Sequence, residues 1–386
     1  MRQNRCITLT VALTALIISG ADADGPSVDP TRAIAQVEHG LIPGVPVAGQ
    51  MGRPLEERMT LYDVPAVSVA VIENFDVAWA SAWGLADRST NRPATTATLF
   101  QAASLSKPVT AMAVHRLAQA GLLSLDTSVN EVLKMWRLPE NELTKNAPVT
   151  FRMLLSHTGG TSVRGFPGYE PDAALPTLFQ VLDGTAPANT PAVLVETTPG
   201  QKLRYSGGGY TVIQQALVDL LGKPFPEIMD ELVLNPAGMS SSTFAQPLPD
   251  GRALEASVAW SASPSFTGRS HVYPEMAAAG LWTTPTDLAR FLVEIQRALR
   301  GDEDALISRE TAEAMITPVM GPATPGFFLR SRDGEIYLQF AGANRGFRCA
   351  MMAHLDHGYG AVVMTNSDSG DALMKEVMRA VAKTSA

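Results

Sequence analysis

Ser104 and Lys107 stand three residues apart in the segment AASLSKPVTA, Ala102 to Ala111. Pro108 lacks a backbone N–H and is tolerated only in the first turn of a helix, so a helix is predicted to start near Ser104. Residues three apart share a helix face, which brings the Lys107 amine beside the Ser104 hydroxyl. A lysine at a helix N-terminus meets the positive end of the dipole, and burial acts in the same direction; both disfavour its charge. A neutral amine beside a serine is a base beside a weak nucleophile. The Ser104 N–H, among the free donors of the first turn, could hold an oxyanion. The plainer alternative is a serine N-cap followed by an ordinary lysine. S-x-x-K is a short pattern, but it occurs only once in this chain. Ser106 is adjacent to Lys107 and is predicted to point to another face.

A second candidate lies in PGQKLRYSGGGYTVIQQAL, where Tyr205-Ser206-Gly207 precede a helix. A phenol there could shuttle protons if a cation such as Lys107 lowered its pKa; the alternative is a turn tyrosine beside flexible glycines. The elements that must position these residues read as strands, many helices, strands and a final helix. PAVSVAVI (65–72) is a buried strand and FDVAWASAWG (75–84) its hairpin partner. The helix after Ser104 runs to about Ala120 and stops at Gly121. Helices are predicted over 31–39, 210–222 and 283–299, the last with Thr284 as N-cap and Pro285 in its first position. EIYLQF (335–340), FRCAMMAH (347–354) and YGAVVMTN (359–366) read as strands, and 371–382 as an amphipathic helix. Terminal strands can pair across a helical insertion, which predicts an α+β fold: an antiparallel sheet flanked by helices plus a mainly helical lobe.

The chain has 386 residues, is 46% apolar and carries a net charge of −8. That composition indicates a well-buried globular protein and opposes non-specific nucleic-acid binding. Arg2 and Arg5, the apolar run Ile7 to Ile18 and Ala21-Asp22-Ala23 form a secretory-signal pattern, with cleavage expected after Ala23 and a periplasmic or secreted destination. The apolar run is too short to span a bilayer comfortably, so no stable membrane anchor is expected. Cys6 would leave with that segment, and Cys349 in FRCAMMA would remain as an unpaired, small core residue.

The motifs in order resemble the serine β-lactamase and penicillin-binding-protein superfamily, in its class C-like branch of esterases, peptidases and β-lactamases. LFQAASLSKPVTAMAVHRLAQAGLLSLDTSV is similar to that family's nucleophile helix. MLLSHTGG (153–160), NPAGMSSSTF (235–244) and AAAGLWTTPTDLARF (277–291) resemble its structural blocks. The resemblance covers nearly all of the chain after residue 23. It implies one hydrolase domain over 24–386, with an α/β lobe at about 24–105 and 320–386 and a helical lobe at about 106–319. It also implies Ser104 as the acylated nucleophile, Lys107 as its base partner and Tyr205 as the proton relay of a Tyr-x-Asn motif. The third motif falls on Phe340-Ala341-Gly342, and the N–H of Ala343 would join that of Ser104 in the oxyanion hole. No cofactor is implied.

Two positions depart from the pattern. Gly207 stands where Asn is usual, and Phe340 where Lys or His is usual. Both changes weaken recognition of a substrate carboxylate, so esterase or peptidase/amidase activity is expected ahead of β-lactamase activity. Gly207, Phe340, Gly342 and Asn344 are the expected substrate contacts, and Asn344, Arg345 and Arg348 could replace the lost polarity. The expected partner is a small ester, amide or peptide; the oligomeric state is open. A different reading is a weakly catalytic protein that binds cell-wall peptides. Glu231 in ELVLN matches a class A glutamate pattern, but its surroundings match the class C-like branch. His157 reads as a structural histidine. His354 and His357 flank Asp356, yet no further Cys or His accompanies them, so no metal site is expected. The chain has no G-x-S-x-G elbow.

Overall fold

The strand Ala66–Glu73 (β1) is buried at every position because both of its faces are covered. Ala66, Ala70 and Ile72 join one apolar cluster, while Val67, Val69 and Val71 join another on the opposite face. The computed structural model describes residues 29–43, 52–263 and 266–383. The expected signal segment 1–23, its cleavage site and Cys6 lie outside the described residues. Among the described residues no helix is long and apolar enough to cross a membrane.

The remaining strands are β2 (Asp76–Asp87), β3 (Arg92–Pro93), β4 (Phe100–Gln101), β5 (Trp282–Thr283), β6 (Phe328–Arg332), β7 (Glu335–Asn344), β8 (Phe347–His354) and β9 (Gly360–Thr365). Six of them join β1 in one seven-stranded sheet in the order β3-β2-β1-β9-β8-β7-β6, and β4 pairs separately with β5. The chain's ends meet at the centre of the sheet, where Val67 lies opposite Thr365 in an antiparallel pair. This is the predicted α+β arrangement, with terminal strands closing around a helical middle.

Each face of the sheet has its own helical cover. Helices Pro30–His39, Leu55–Tyr62 and Gly370–Ala382 cover the β1/β9 face that carries Val67, Val69 and Val363. A buried clip holds two of them together: Arg58 Nε donates to Glu376 Oε2 at 2.8 Å, and Tyr62 Oη to Glu376 Oε1 at 2.7 Å. The other face carries the helical lobe and the larger core. Helix Pro285–Leu299 lies there, and the Thr284 hydroxyl caps it by accepting the Asp287 N–H at 3.2 Å, as its sequence predicts. β7 runs four residues past its predicted end at Phe340. Ala341, Gly342 and Ala343 have little strand preference of their own, but register with β8 holds them extended. β6 pairs with β7 only as far as Gln339, so among the described residues the outer edge from Phe340 to Asn344 carries no strand partner.

Candidate active site

The turn before Ser104 is clamped to the helical lobe. Phe100 and Gln101 pair with Thr283 and Trp282, and the Ala102 N–H donates to Leu281 O at 2.8 Å. Ala103 then takes a left-handed conformation, φ 48°, which costs a non-glycine residue about 1 kcal/mol. A 3-10 turn covers Ala103–Leu105, and the α-helix itself spans Ser106–Gln119. The helix thus begins two residues later than the proline predicts, with Pro108 in the third position, where its absent N–H is not needed. No side-chain cap is made at this end, so the Ser104 hydroxyl is not serving as an N-cap. The Ser106 hydroxyl, by contrast, is fully buried; it donates to Ala103 O at 2.6 Å and accepts the Leu281 N–H at 3.0 Å.

Lys107 is only 2% exposed. Its Nζ donates to Ala278 O at 2.7 Å and to Ser104 Oγ at 3.2 Å. It also lies 5.1 Å from the ring centre of Tyr205 and 5.7 Å from that of Tyr210. Among the described residues no carboxylate lies within ion-pair distance of it. Ala278 belongs to the short helix Met276–Ala279, which is braced by Gln214 Oε1 accepting the Ala277 N–H at 3.0 Å. Glu275, just before that helix, is fully buried. Its Oε1 receives only a 3.5 Å bond from Tyr169 Oη, and its Oε2 has no partner among the described residues. Burial pushes its carboxyl up to about 7.

Tyr205 reaches this amine because its segment is zipped to residues 157–164. The Arg204 N–H donates to His157 O at 2.8 Å, that of Gly207 to Arg164 O at 3.1 Å and that of Gly208 to Val163 O at 3.0 Å. Ser206 caps the helix Gly207–Leu221: its Oγ accepts the Gly209 N–H at 3.0 Å and donates to Ser162 O at 2.6 Å. His157 lies against Tyr205 with ring centres 4.2 Å apart. Its Nδ1 accepts the Ser206 N–H at 3.2 Å, which leaves the hydrogen on Nε2. Burial, then the Lys107 charge, lowers the His157 pKa to about 3. It is a neutral ring under the tyrosine and is not poised as a base.

The third strand segment approaches from the other side. A Cβ on Gly342 would stand 2.6 Å from both Ala102 O and Cys349 Sγ, and 2.9 Å from Ser104 N. Only glycine lets β7 lie this close to the serine turn. Ala343 follows, exposed on the strand's free edge. Phe340 is 6% exposed, with its ring centre 5.5 Å from Phe328 and 6.5 Å from Tyr205. Asn344, expected among the substrate contacts, is instead buried: its Nδ2 donates to Gln101 Oε1 at 2.8 Å and to Ala279 O at 3.1 Å. Strand alternation turns it inward with Phe340 and Gly342. Arg348 is engaged too, donating to Asn344 O at 2.9 Å and pairing with Asp368 at 3.0 Å. Arg345 lays its guanidinium over the Phe266 ring, 5.6 Å from its centre.

At Gly207 the structure supplies a residue that the sequence did not point to. A Cβ there would stand 2.9 Å from Phe166 Cε2, so the Phe166 ring fills the side-chain position. No local pattern could have linked residues 166 and 207; their contact depends on the zipped segments.

The remaining candidates fall outside this group. Glu231 is exposed and bound by Lys223, whose Nζ lies 2.7 Å from both of its carboxylate oxygens. Cys349 is buried; its thiol donates to Ala102 O at 2.9 Å, and burial pushes its pKa up. Glu335, His354 and His357 bring ligand-type atoms within 4.8 Å of one another. His354 Nδ1, however, accepts backbone N–H groups from Asp356 at 3.0 Å and His357 at 3.1 Å. Its hydrogen therefore lies on Nε2, which donates to Glu335 Oε2 at 2.7 Å. That hydrogen occupies the lone pair a metal would need, so the trio fits a hydrogen-bonded turn better than a metal centre.

This geometry can be set beside known proteins. The chain is 30% identical to esterase EstB from Burkholderia gladioli over 199 residues, covering 48% of this chain and 48% of the relative, so it spans about half of that relative's length. It is 24% identical over 287 residues to the D-alanyl-D-alanine-carboxypeptidase/endopeptidase AmpH of Escherichia coli (strain K12), covering 69% of this chain and 70% of the relative. Among solved structures, the D-amino acid amidase of Ochrobactrum anthropi SV3 superposes with a TM-score of 0.69 at 18% identity, over 92% of this chain and 99% of that one. The fold is therefore that of the β-lactamases and penicillin-binding proteins. The model of the Beta-lactamase family matches residues 53–385, and the chain belongs to that family.

Proposed function

We propose that this protein is a serine hydrolase that cleaves an ester or amide bond through an acyl-enzyme on Ser104. The observation that carries the reading is the Lys107 amine, 3.2 Å from Ser104 Oγ and held by a carbonyl and two aromatic faces instead of a carboxylate. Ser104 Oγ attacks the substrate carbonyl carbon as its single proton passes to the uncharged Lys107 amine, from which Tyr205 relays it towards the leaving group. The oxyanion rests on the N–H groups of Ser104 and Ala343; the close approach of Gly342 to Ser104 N, 2.9 Å from a Cβ at 342, supports that pairing. The tetrahedral intermediate collapses, the scissile bond breaks and the leaving group takes the proton. Water then attacks the acyl ester with Tyr205 and Lys107 as its base, returning the carboxylic acid and free Ser104.

Esters and simple amides or peptides come before β-lactams, because Gly207 and Phe340 replace the polar groups that would hold a substrate carboxylate. We also propose export, on the basic, apolar and Ala-x-Ala pattern of residues 1–23. The same two replacements favour a second reading, a weakly catalytic protein that binds cell-wall peptides. A panel of 4-nitrophenyl esters, D-Ala-D-Ala peptides, penicillin and a cephalosporin, run on the wild type and Ser104→Ala, separates the readings. Ser104-dependent turnover of esters or peptides supports the hydrolase; peptide binding with no turnover of any substrate overturns it.

A further inference from the structure

Sequence comparison alone would describe Gly207 as a loss, an amide-bearing side chain deleted. The structure shows a substitution in space. The Phe166 ring stands 2.9 Å from where a side chain at 207 would begin, and Arg164 O stands 3.2 Å from it. The segment carrying this ring is held at both ends. Arg164 O and Val163 O accept the N–H groups of Gly207 and Gly208. Pro167 O accepts a bond from His271 Nδ1 at 2.9 Å and one from Tyr273 Oη at 3.4 Å. Between these ties Arg164, Gly165 and Pro167 are exposed, and a Cβ on Gly165 would meet nothing within 4 Å. Phe166 is thus a half-buried ring on a fixed lip beside open space, set against Gly207 two residues after half-buried Tyr205, whose ring centre lies 6.3 Å from that of Phe328 and 6.5 Å from that of Phe340.

We infer that Phe166 is a specificity-determining residue, and that the site takes esters or amides whose groups flanking the scissile carbonyl are uncharged and apolar. The inference rests on the serine-hydrolase reading above. An apolar group gains by leaving water for these rings, whereas a carboxylate there loses hydration without gaining the Asn amide usual at 207 or the Lys or His usual at 340. The exposed Arg164 guanidinium, 5.6 Å from the Tyr205 ring centre, is the cation on this lip. Its exposure keeps it solvated and screened, so it attracts an anion only weakly.

The test compares 4-nitrophenyl pentanoate with the 4-nitrophenyl half-ester of glutaric acid, which share chain length and leaving group and differ by a terminal carboxylate. The wild type is expected to favour the neutral ester by about tenfold or more in kcat/KM. Phe166→Ala should shrink that ratio by about threefold or more, while Phe166→Tyr, which keeps the ring, retains it. A merely structural role would lower both substrates together and leave the ratio unchanged. The inference is overturned by a wild-type ratio near one, by a ratio unchanged in Phe166→Ala, or by a preference for the anionic ester that Arg164→Ala abolishes. Fluorophosphonate labelling, run alongside, separates the two levels. Labelled Ser104 with equal turnover of both esters, or with turnover of neither, overturns this inference alone. Absence of both labelling and turnover overturns the hydrolase reading beneath it.

Discussion

Around Ser104 and Lys107 polar side chains meet polar partners, whereas at Gly207 and Phe340 aromatic rings stand where the family pattern has polar side chains. On the first side each group has an assigned place: Ser106 is tied to Ala103 O and Leu281 N, Lys107 to Ala278 O and Ser104 Oγ. On the second side Phe166 occupies the volume beside Gly207, and Phe340 packs on Phe328. The difference separates two demands on one site. In the proposed reaction, bond cleavage falls to the fixed hydroxyl and amine of the first side, and substrate choice to the aromatic second side.

The contrast can be broken most sharply on the first side. Lys107→Met should lower ester kcat/KM by about 10²–10⁴-fold with the fold retained by circular dichroism. A change of less than tenfold would remove the amine from the chemistry. The next largest effect lies where the two sides touch. Gly342→Ala places a methyl 2.6 Å from Ala102 O and must push β7 away from the serine turn. A displacement of about 1 Å should cost about a hundredfold in kcat/KM, chiefly in kcat. Unchanged kinetics would show that the close approach of strand and turn has no part in catalysis.

Glu275, just before the helix that carries Ala278, gives a pH signature of stability. Its folded pKa of about 7 lies above the model-compound value of 4.5. The folded state therefore holds more protons between those values, and the stability this group allows is complete below pH 4.5 and lost as pH rises through 7. Glu275→Gln should remove that loss, gaining about 3 kcal/mol relative to wild type by pH 8, read from denaturant midpoints. His157 acts with the opposite sign. Its folded pKa of about 3 lies below the ordinary 6.5, so the stability it allows is present above pH 6.5 and lost as pH falls toward 3. The smallest effect belongs to a residue on neither side. Glu231→Gln should leave ester turnover within about twofold and stability within about 1 kcal/mol, because it breaks only an exposed pair with Lys223. A large loss of turnover would mean a catalytic glutamate after all.

Much of this arrangement was legible from residue order. β1, β9 and the capped helix at Thr284 announce themselves through β-branched runs and cap chemistry, which are local signals. Ser104 and Lys107 were legible because spacing on one helix face is also local, although the 3-10 turn at Ala103–Leu105 was not. The full length of β7 was hidden, since Ala341-Gly342-Ala343 is extended only by pairing with β8. Phe166 was hidden for a deeper reason: a ring replacing a side chain 41 positions away is a tertiary event with no trace in either segment. The buried setting of Asn344 was hidden as well, because its amide is held by Gln101 and Ala279, partners set by the fold.

The central claim is that Ser104, and not its neighbour Ser106, is the nucleophile. Intact-mass measurement after reaction with a fluorophosphonate tests it directly on the wild type, Ser104→Ala and Ser106→Ala. One phosphonyl adduct on the wild type and on folded Ser106→Ala, with none on Ser104→Ala, is the predicted result. An adduct that persists in Ser104→Ala, or none on the wild type, would contradict it.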